Sequence, residues 1–197
     1  MPRYSKKKWN KKDVRLSHNC YSYMLNKINK NYVRKCQAYM RKTKKKGCGF
    51  LKAQPGMYSG MKDVRFLKNY NCKMLNKRIL RDNKYMYKTK KKCPKKYYKG
   101  ALYIEPNRAY HFYRQDSDGT WSHKDGLSKS TRRDARKRII RNIKKANRKY
   151  KPTKKEMGFY YSRHCATYCI PESSKKKFFS AYTRKRRKRK KNKTRKY

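Results

Sequence analysis

Few residues in this chain of 197 can do covalent chemistry, and they come in an informative order. Cys20 opens an apolar helical pattern, while His111, His123 and Asp125 follow far downstream on strand-like segments. A thiol at the start of a helix lies near the positive end of the dipole, which lowers its pKa and favours thiolate. A strand histidine can then act as base, and a second polar residue on the next strand can orient it. Which residues face each other depends on one turn. Tyr110–Gln115 and Thr120–Lys124 flank Asp116-Ser117-Asp118-Gly119. A three-residue loop with Gly119 in the left-handed position of a bulge pairs Asp116 with Thr120. Tyr113 then faces His123 and His111 faces Asp125, so His111, Gln115, His123 and Asp125 share one face of the hairpin. A loop one residue shorter or longer splits the two histidines between faces. The plainer alternative is that Cys20 is a small buried residue on a helix and both histidines are hydrogen-bonded in a sheet.

The elements that must position these groups can be read from periodicity. Cys20, Tyr21, Met24, Leu25 and Ile28 are spaced three and four apart, predicting a helix that the Lys/Gly stretch at 42–49 breaks. Gln54-Pro55-Gly56 is a turn. Met61, Val64, Leu67, Cys72, Leu75 and Ile79 form one stripe, predicting a second helix from near Gly60 that Asp82-Asn83 ends. Tyr97–Ile104 reads as a strand closed by Glu105-Pro106-Asn107, followed by the hairpin. Residues 130–149 carry Ile139, Ile140 and Ile143 in a dense basic run and fit a short helix or an extended arm. Tyr160–Pro171 is a closing strand. The fold class expected is α+β, N-terminal helices packed on a small antiparallel sheet. Its expected divisions are an arm at 1–16, one domain over 17–174, and a Lys/Arg-rich tail at 175–197 that is disordered unless bound.

Composition narrows the function classes. The chain has 64 Lys and Arg against 10 Asp and Glu, a formal net charge of +54. Leu, Ile, Val and Phe make up about 12% of it, so a core must lean on its 20 Tyr, 8 Met and 7 Cys. An ordinary free metabolic enzyme is close to excluded, and a protein that lives against polyanion is the natural reading. Its charge matches roughly 27 base pairs of duplex. Lys6, Lys7, Lys8, Arg132, Arg133, Arg136, Lys137 and Arg138 are candidate polyanion contacts. So are Arg184, Lys185, Arg186, Arg187, Lys188, Arg189, Lys190 and Lys191, a run that also fits a nuclear localisation signal. Tyr interleaved with Lys, as in Lys95-Lys96-Tyr97-Tyr98-Lys99, suits base stacking or, more often, core. No stretch is apolar enough for a membrane span, and no signal peptide is evident. The seven cysteines show no regular framework, so reduced thiols are expected. His164, Cys165 and Cys169 make an irregular set for zinc, and no metal or cofactor is expected.

Several motifs carry a resemblance. Asn19-Cys20-Tyr21-Ser22-Tyr23, Gln54-Pro55-Gly56 with Ser59-Gly60, Cys93-Pro94, Tyr97-Tyr98-Lys99, the block Tyr110–Lys124 and Cys165-x3-Cys169-x-Pro171 resemble a widespread uncharacterised family. That family occurs in bacteria and nucleocytoplasmic large DNA viruses, and its Cys-then-His order is similar to small papain-like, NlpC-type hydrolases. The resemblance spans residues 18–171 and implies a papain-like core. Departures are Asp125, where the family has Pro, and the basic run at 130–149.

Charge and resemblance together lead to a structural expectation. The chain would be a very basic virion protein of a large DNA virus, a minor capsid or packaging component inside the shell. Its partners would be capsid proteins or viral DNA in a symmetric, multi-copy assembly, with host cytoplasm or nucleus as its site during assembly. The alternative is a papain-like cysteine amidase or peptidase with Cys20 as nucleophile, His111 as base and His123 or Asp125 orienting.

Overall fold

The structure is a computed structural model that describes residues 1–48, 52–67, 70–152 and 157–172. The chain begins with α1 (Lys6–Trp9), α2 (Lys12–Ser17), α3 (Cys20–Met24) and α4 (Lys30–Thr43). Single 3-10 turns at Met57–Ser59 and Val64–Phe66 then lead into α5 (Cys72–Asp82). Six strands form an antiparallel sheet: β1 (Tyr87–Lys88), β2 (Tyr97–Glu105), β3 (Ala109–Gln115), β4 (Trp121–Lys124), β5 (Ser130–Thr131) and β8 (Arg163–Pro171). Their order is β1-β8-β2-β3-β4-β5, and β6 (Lys149–Tyr150) pairs with β7 (Phe159–Tyr160) as a separate ribbon. The architecture is α+β, as the sequence predicts.

Local chemistry explains where the helices start and stop. Asn19 caps α3 by accepting from the Ser22 amide at 3.1 Å, and Asn71 caps α5 from Met74 at 2.9 Å. The long first helix expected from Cys20 onward is instead two. The chain leaves α3 at Leu25, Asn26 takes a left-handed φ of 50°, and Asn29 caps α4. Ile28 falls between them. Similarly, the second helix begins only at Cys72, because the Asn71 cap starts it there and Gly60 turns the chain with φ 79°.

The sheet is covered on both faces. Leu102, Ile104, Phe112, Tyr168 and Ile170 pack beneath Tyr21, Met24, Leu75 and Ile79 of α3 and α5. Ala101, Tyr103, Tyr113 and Trp121 face the other way, against Ile140, Ile143 and Tyr161. This alternation is the two-residue period of a strand buried on both sides. Gly100 lets α3 approach: a Cβ there would meet Ile170 Cδ1 at 2.6 Å and Met24 Cγ at 2.8 Å.

Three expectations are corrected. Residues 1–16 are not an arm: Trp9 is fully buried, stacks edge-on against Tyr23 at 4.8 Å, and Val14 joins it. Tyr4 and Asn10 tie the segment to Ser130, leaving Lys6, Lys7 and Lys8 exposed on α1. The basic run at 130–149 is neither helix nor extended arm. It folds around Asp134, whose carboxylate accepts from the amides of Arg136 (2.9 Å), Arg138 (3.0 Å) and Asn147 (3.0 Å), and it drives Ile140 and Ile143 into the core. Arg132 is engaged, 2.9 Å from Asp118 and over the Tyr4 ring, while Arg133, Arg136, Lys137 and Arg138 are exposed. Finally, six cysteines are paired as Cys36–Cys48, Cys72–Cys165 and Cys93–Cys169, not reduced, with Cα–Cα separations of 5.0, 5.1 and 5.5 Å. The tail at 175–197, with Arg184 to Lys191, lies outside the described residues. Among the described residues no helix is long and apolar enough to cross a membrane, and no His/Cys/Asp/Glu group could hold a metal ion.

Candidate active site

The hairpin adopts the predicted register over Tyr113–Gln115, but the ladder ends before the expected pair of His111 with Asp125. The Asp116 amide donates to Thr120 O at 2.8 Å, its carbonyl accepts from the Gly119 amide at 3.0 Å, and Gly119 has φ 80°. Tyr113 therefore pairs with His123, Arg114 with Ser122 and Gln115 with Trp121. The β3–β4 ladder stops at Tyr113. On that side of β3 the next amide in line belongs to Phe112, and it faces the Cys20 thiol instead of a strand. Cys20 thus sits where the two strands part, at the start of α3, and it is the one cysteine outside a disulfide.

The two histidines form a directed chain. His111 Nε2 lies 2.9 Å from His123 Nδ1, and His123 Nε2 lies 3.0 Å from the Arg133 carbonyl. A carbonyl only accepts, so His123 carries its proton on Nε2 and its Nδ1 is a bare acceptor. His111 must then donate from Nε2, which leaves its own Nδ1 with a free lone pair. That Nδ1 is buried and has no hydrogen-bond partner. Asp125, half-exposed, places Oδ1 3.9 Å from it. Tyr161 stacks on the His111 ring at 5.0 Å and Tyr113 meets it edge-on at 4.9 Å, so the base is held in an aromatic box.

Electrostatics follow from burial. Desolvation pushes the His111 pKa well below 6.5, with the neighbouring His123 and Lys124 adding to the effect. Burial pushes the Cys20 thiol up to about 12, and the Asp125 charge adds to it. The lowered thiol pKa expected from the helix start is therefore overturned. Removing the sulfur from water outweighs the dipole of a five-residue helix. Both shifts favour the uncharged forms, a thiol on Cys20 and an imidazole on His111.

Two lysines frame the site. Lys124 is fully buried and donates from Nζ to His18 O at 2.7 Å and Gly126 O at 2.6 Å. It thereby straps the chain entering α3 to the turn that follows Asp125. Burial lowers its pKa to about 7 and that of Lys52 to about 8, while the Asp125 carboxylate acts on both in the opposite sense. Tyr110 donates to the Gln54 carboxamide beside Lys52.

Of the four predicted catalytic residues, the structure joins His111, His123 and Asp125 by direct geometry and sets Cys20 against the strand carrying His111. Sequence reasoning missed the Arg133 carbonyl, because a backbone partner leaves no side-chain signal, and Tyr161, whose only mark was an apolar-rich final strand. His164 takes no part. It bonds Thr167 at 3.1 Å, and Cys165 and Cys169 are in disulfides.

Comparison of the chain with protein-family models, with curated proteins and with solved structures finds no match.

Proposed function

We propose that this chain is a cysteine-dependent acyl-transfer enzyme, an amidase or peptidase of papain-like type. The reading rests above all on the unpartnered Nδ1 of His111, whose tautomer the His123–Arg133 chain fixes as a base. The Cys20 sulfur attacks the carbonyl carbon of an amide as its proton passes to His111 Nδ1. Positive charge on the imidazolium is spread toward His123 and compensated by Asp125 at 3.9 Å. The imidazolium then protonates the leaving nitrogen, the C–N bond breaks, and an acyl thioester remains on Cys20. Water, deprotonated by His111, releases the acid and restores the thiol. Because both groups rest neutral, His111 works as a general base during attack and not as half of a standing ion pair.

The charge supports a second reading: a basic virion component in which the site is inherited architecture and a chain of net charge +54 neutralises polyanion. The two separate on one experiment. With six cysteines in disulfides, an iodoacetamide probe on the native protein reports Cys20 alone. The enzyme reading expects labelling that slows at least about tenfold in His111→Gln, a loss typical of removing a general base. Equal labelling of the wild type and His111→Gln would contradict it and leave the structural reading.

A further inference from the structure

The edge of the sheet far from the candidate site carries a surface of a different kind. Between Asp82 and Glu105 the chain has no acidic residue, and Lys84, Lys88, Lys90, Lys91, Lys92, Lys95 and Lys96 are all exposed. Exposed aromatic rings are set among them. Tyr85 is 49% exposed and Tyr87 44%, whereas Tyr98, next to Tyr97, is 2% exposed and belongs to the core. Tyr87 lies on edge strand β1, opposite Cys169 of β8, which in turn pairs with Lys99 of β2. Its ring stands 5.9 Å from that of half-buried Tyr97. The Cys93–Cys169 disulfide pins the lysine loop onto this same face, and the Thr89 amide anchors it to Thr167 O at 2.8 Å. Lysines alone are a common guard on an edge strand. Exposed tyrosines are not: they add apolar surface at the very place a guard should remove it.

We infer that this edge is a binding site for single-stranded nucleic acid, with Tyr87, Tyr97 and Tyr85 stacking on unpaired bases while the loop lysines follow the phosphates. Rings beside a cationic track fit a strand whose bases are free, since every base offers a π-face. A duplex hides its bases, and an acidic peptide offers no planar partner, so either would use only the lysines. This site is independent of Cys20 and of the proposed hydrolysis.

The test uses the full-length, disulfide-intact protein and three probes: labelled oligothymidylate, a duplex with the same number of phosphates, and polyglutamate. Binding is followed by anisotropy over a range of salt. Tyr85→Ala/Tyr87→Ala should weaken oligothymidylate binding by about fivefold or more per ring. It should leave the salt slope and both other probes unchanged, because no charge is removed. Tyr87→Trp should retain binding, which separates stacking from a folding defect. Lys90→Gln/Lys91→Gln/Lys92→Gln should instead reduce the slope by roughly 2. Unchanged oligothymidylate affinity in the tyrosine variant would overturn the inference. An equal loss for duplex or polyglutamate would overturn it too and point to a plain charged surface.

Discussion

Asp116→Ala should be among the most damaging single substitutions, and its cost can be worked from its partner. Arg114 and Asp116 are both fully buried and face each other at 2.8 and 3.0 Å. Removing one member of a buried pair costs about 3–5 kcal/mol, because the other charge is left without compensation. Arg114 would keep Tyr23 O at 3.4 Å, Tyr23 Oη at 3.1 Å, Asn26 Oδ1 at 3.2 Å and the Tyr23 ring at 4.2 Å. Those partners are dipoles, not charges, so the loss belongs near the lower end, about 3 kcal/mol. Urea unfolding under non-reducing conditions measures it, with Trp9 reporting directly because it packs on Tyr23. Salt supplies a second criterion. Raising ionic strength from 0.15 to 1 M shortens the screening length from about 8 to about 3 Å and should stabilise this +54 chain as a whole. A pair without solvent contact is not screened, so the difference between variant and wild type should stay constant. A loss under about 1 kcal/mol, or one that fades with salt, would refute the argument that a desolvated pair compensates the buried Arg114 charge at the end of β3.

Other outcomes follow from the same structure. Gly100→Ala should cost about 1–3 kcal/mol by urea unfolding, since its Cβ would lie 2.8 Å from Met24. Thiol titration in denaturant should find one reactive cysteine without reductant and seven with it. Three buried lysines set a pH dependence: burial lowers Lys27 to about 7, Lys52 to about 8 and Lys124 to about 7. Their unfolded values are near 10.5, so from pH 7 to 10 the unfolded chain holds more protons and stability must rise with pH. The urea midpoint of Cys20→Ala, chosen to prevent disulfide exchange, should therefore be higher at pH 9 than at pH 7. His18, lowered by burial to about 4, and His111 and His123, also lowered, act in the same sense below pH 6.5, so the midpoint should fall again at pH 5.5. A midpoint that falls from pH 7 to 9 would contradict the burial of these lysines.

The parts of the fold that sequence made legible are those governed by local rules. The hairpin could be read because Gly119 takes the positive φ that a three-residue loop demands, and the register then put His111, His123 and Asp125 together. What stayed hidden depended on distant or backbone partners. Lysines mask the Trp9, Val14 and Leu16 contacts that fold residues 1–16 onto the domain. Asp134 organises the basic run through amides, which no side-chain pattern records. Disulfide connectivity does not follow from spacing, since Cys72 and Cys93 meet their partners only when β8 enters the sheet beside β2. The Cys20 environment is hidden in the sequence because helix position is visible there and burial is not. Tyr32, Val33, Cys36 and Met40 also keep helical spacing, and they lie in α4.

The central claim is that Cys20 forms an acyl thioester with the help of His111. The most direct measurement is peptide mass spectrometry after brief exposure of the native protein to p-nitrophenyl acetate. The account expects an acetyl group on Cys20, formed with a burst of nitrophenol, greatly slowed in His111→Gln and absent in Cys20→Ala. Acetylation confined to surface lysines, with Cys20 unmodified and the same nitrophenol release in all three proteins, would contradict it.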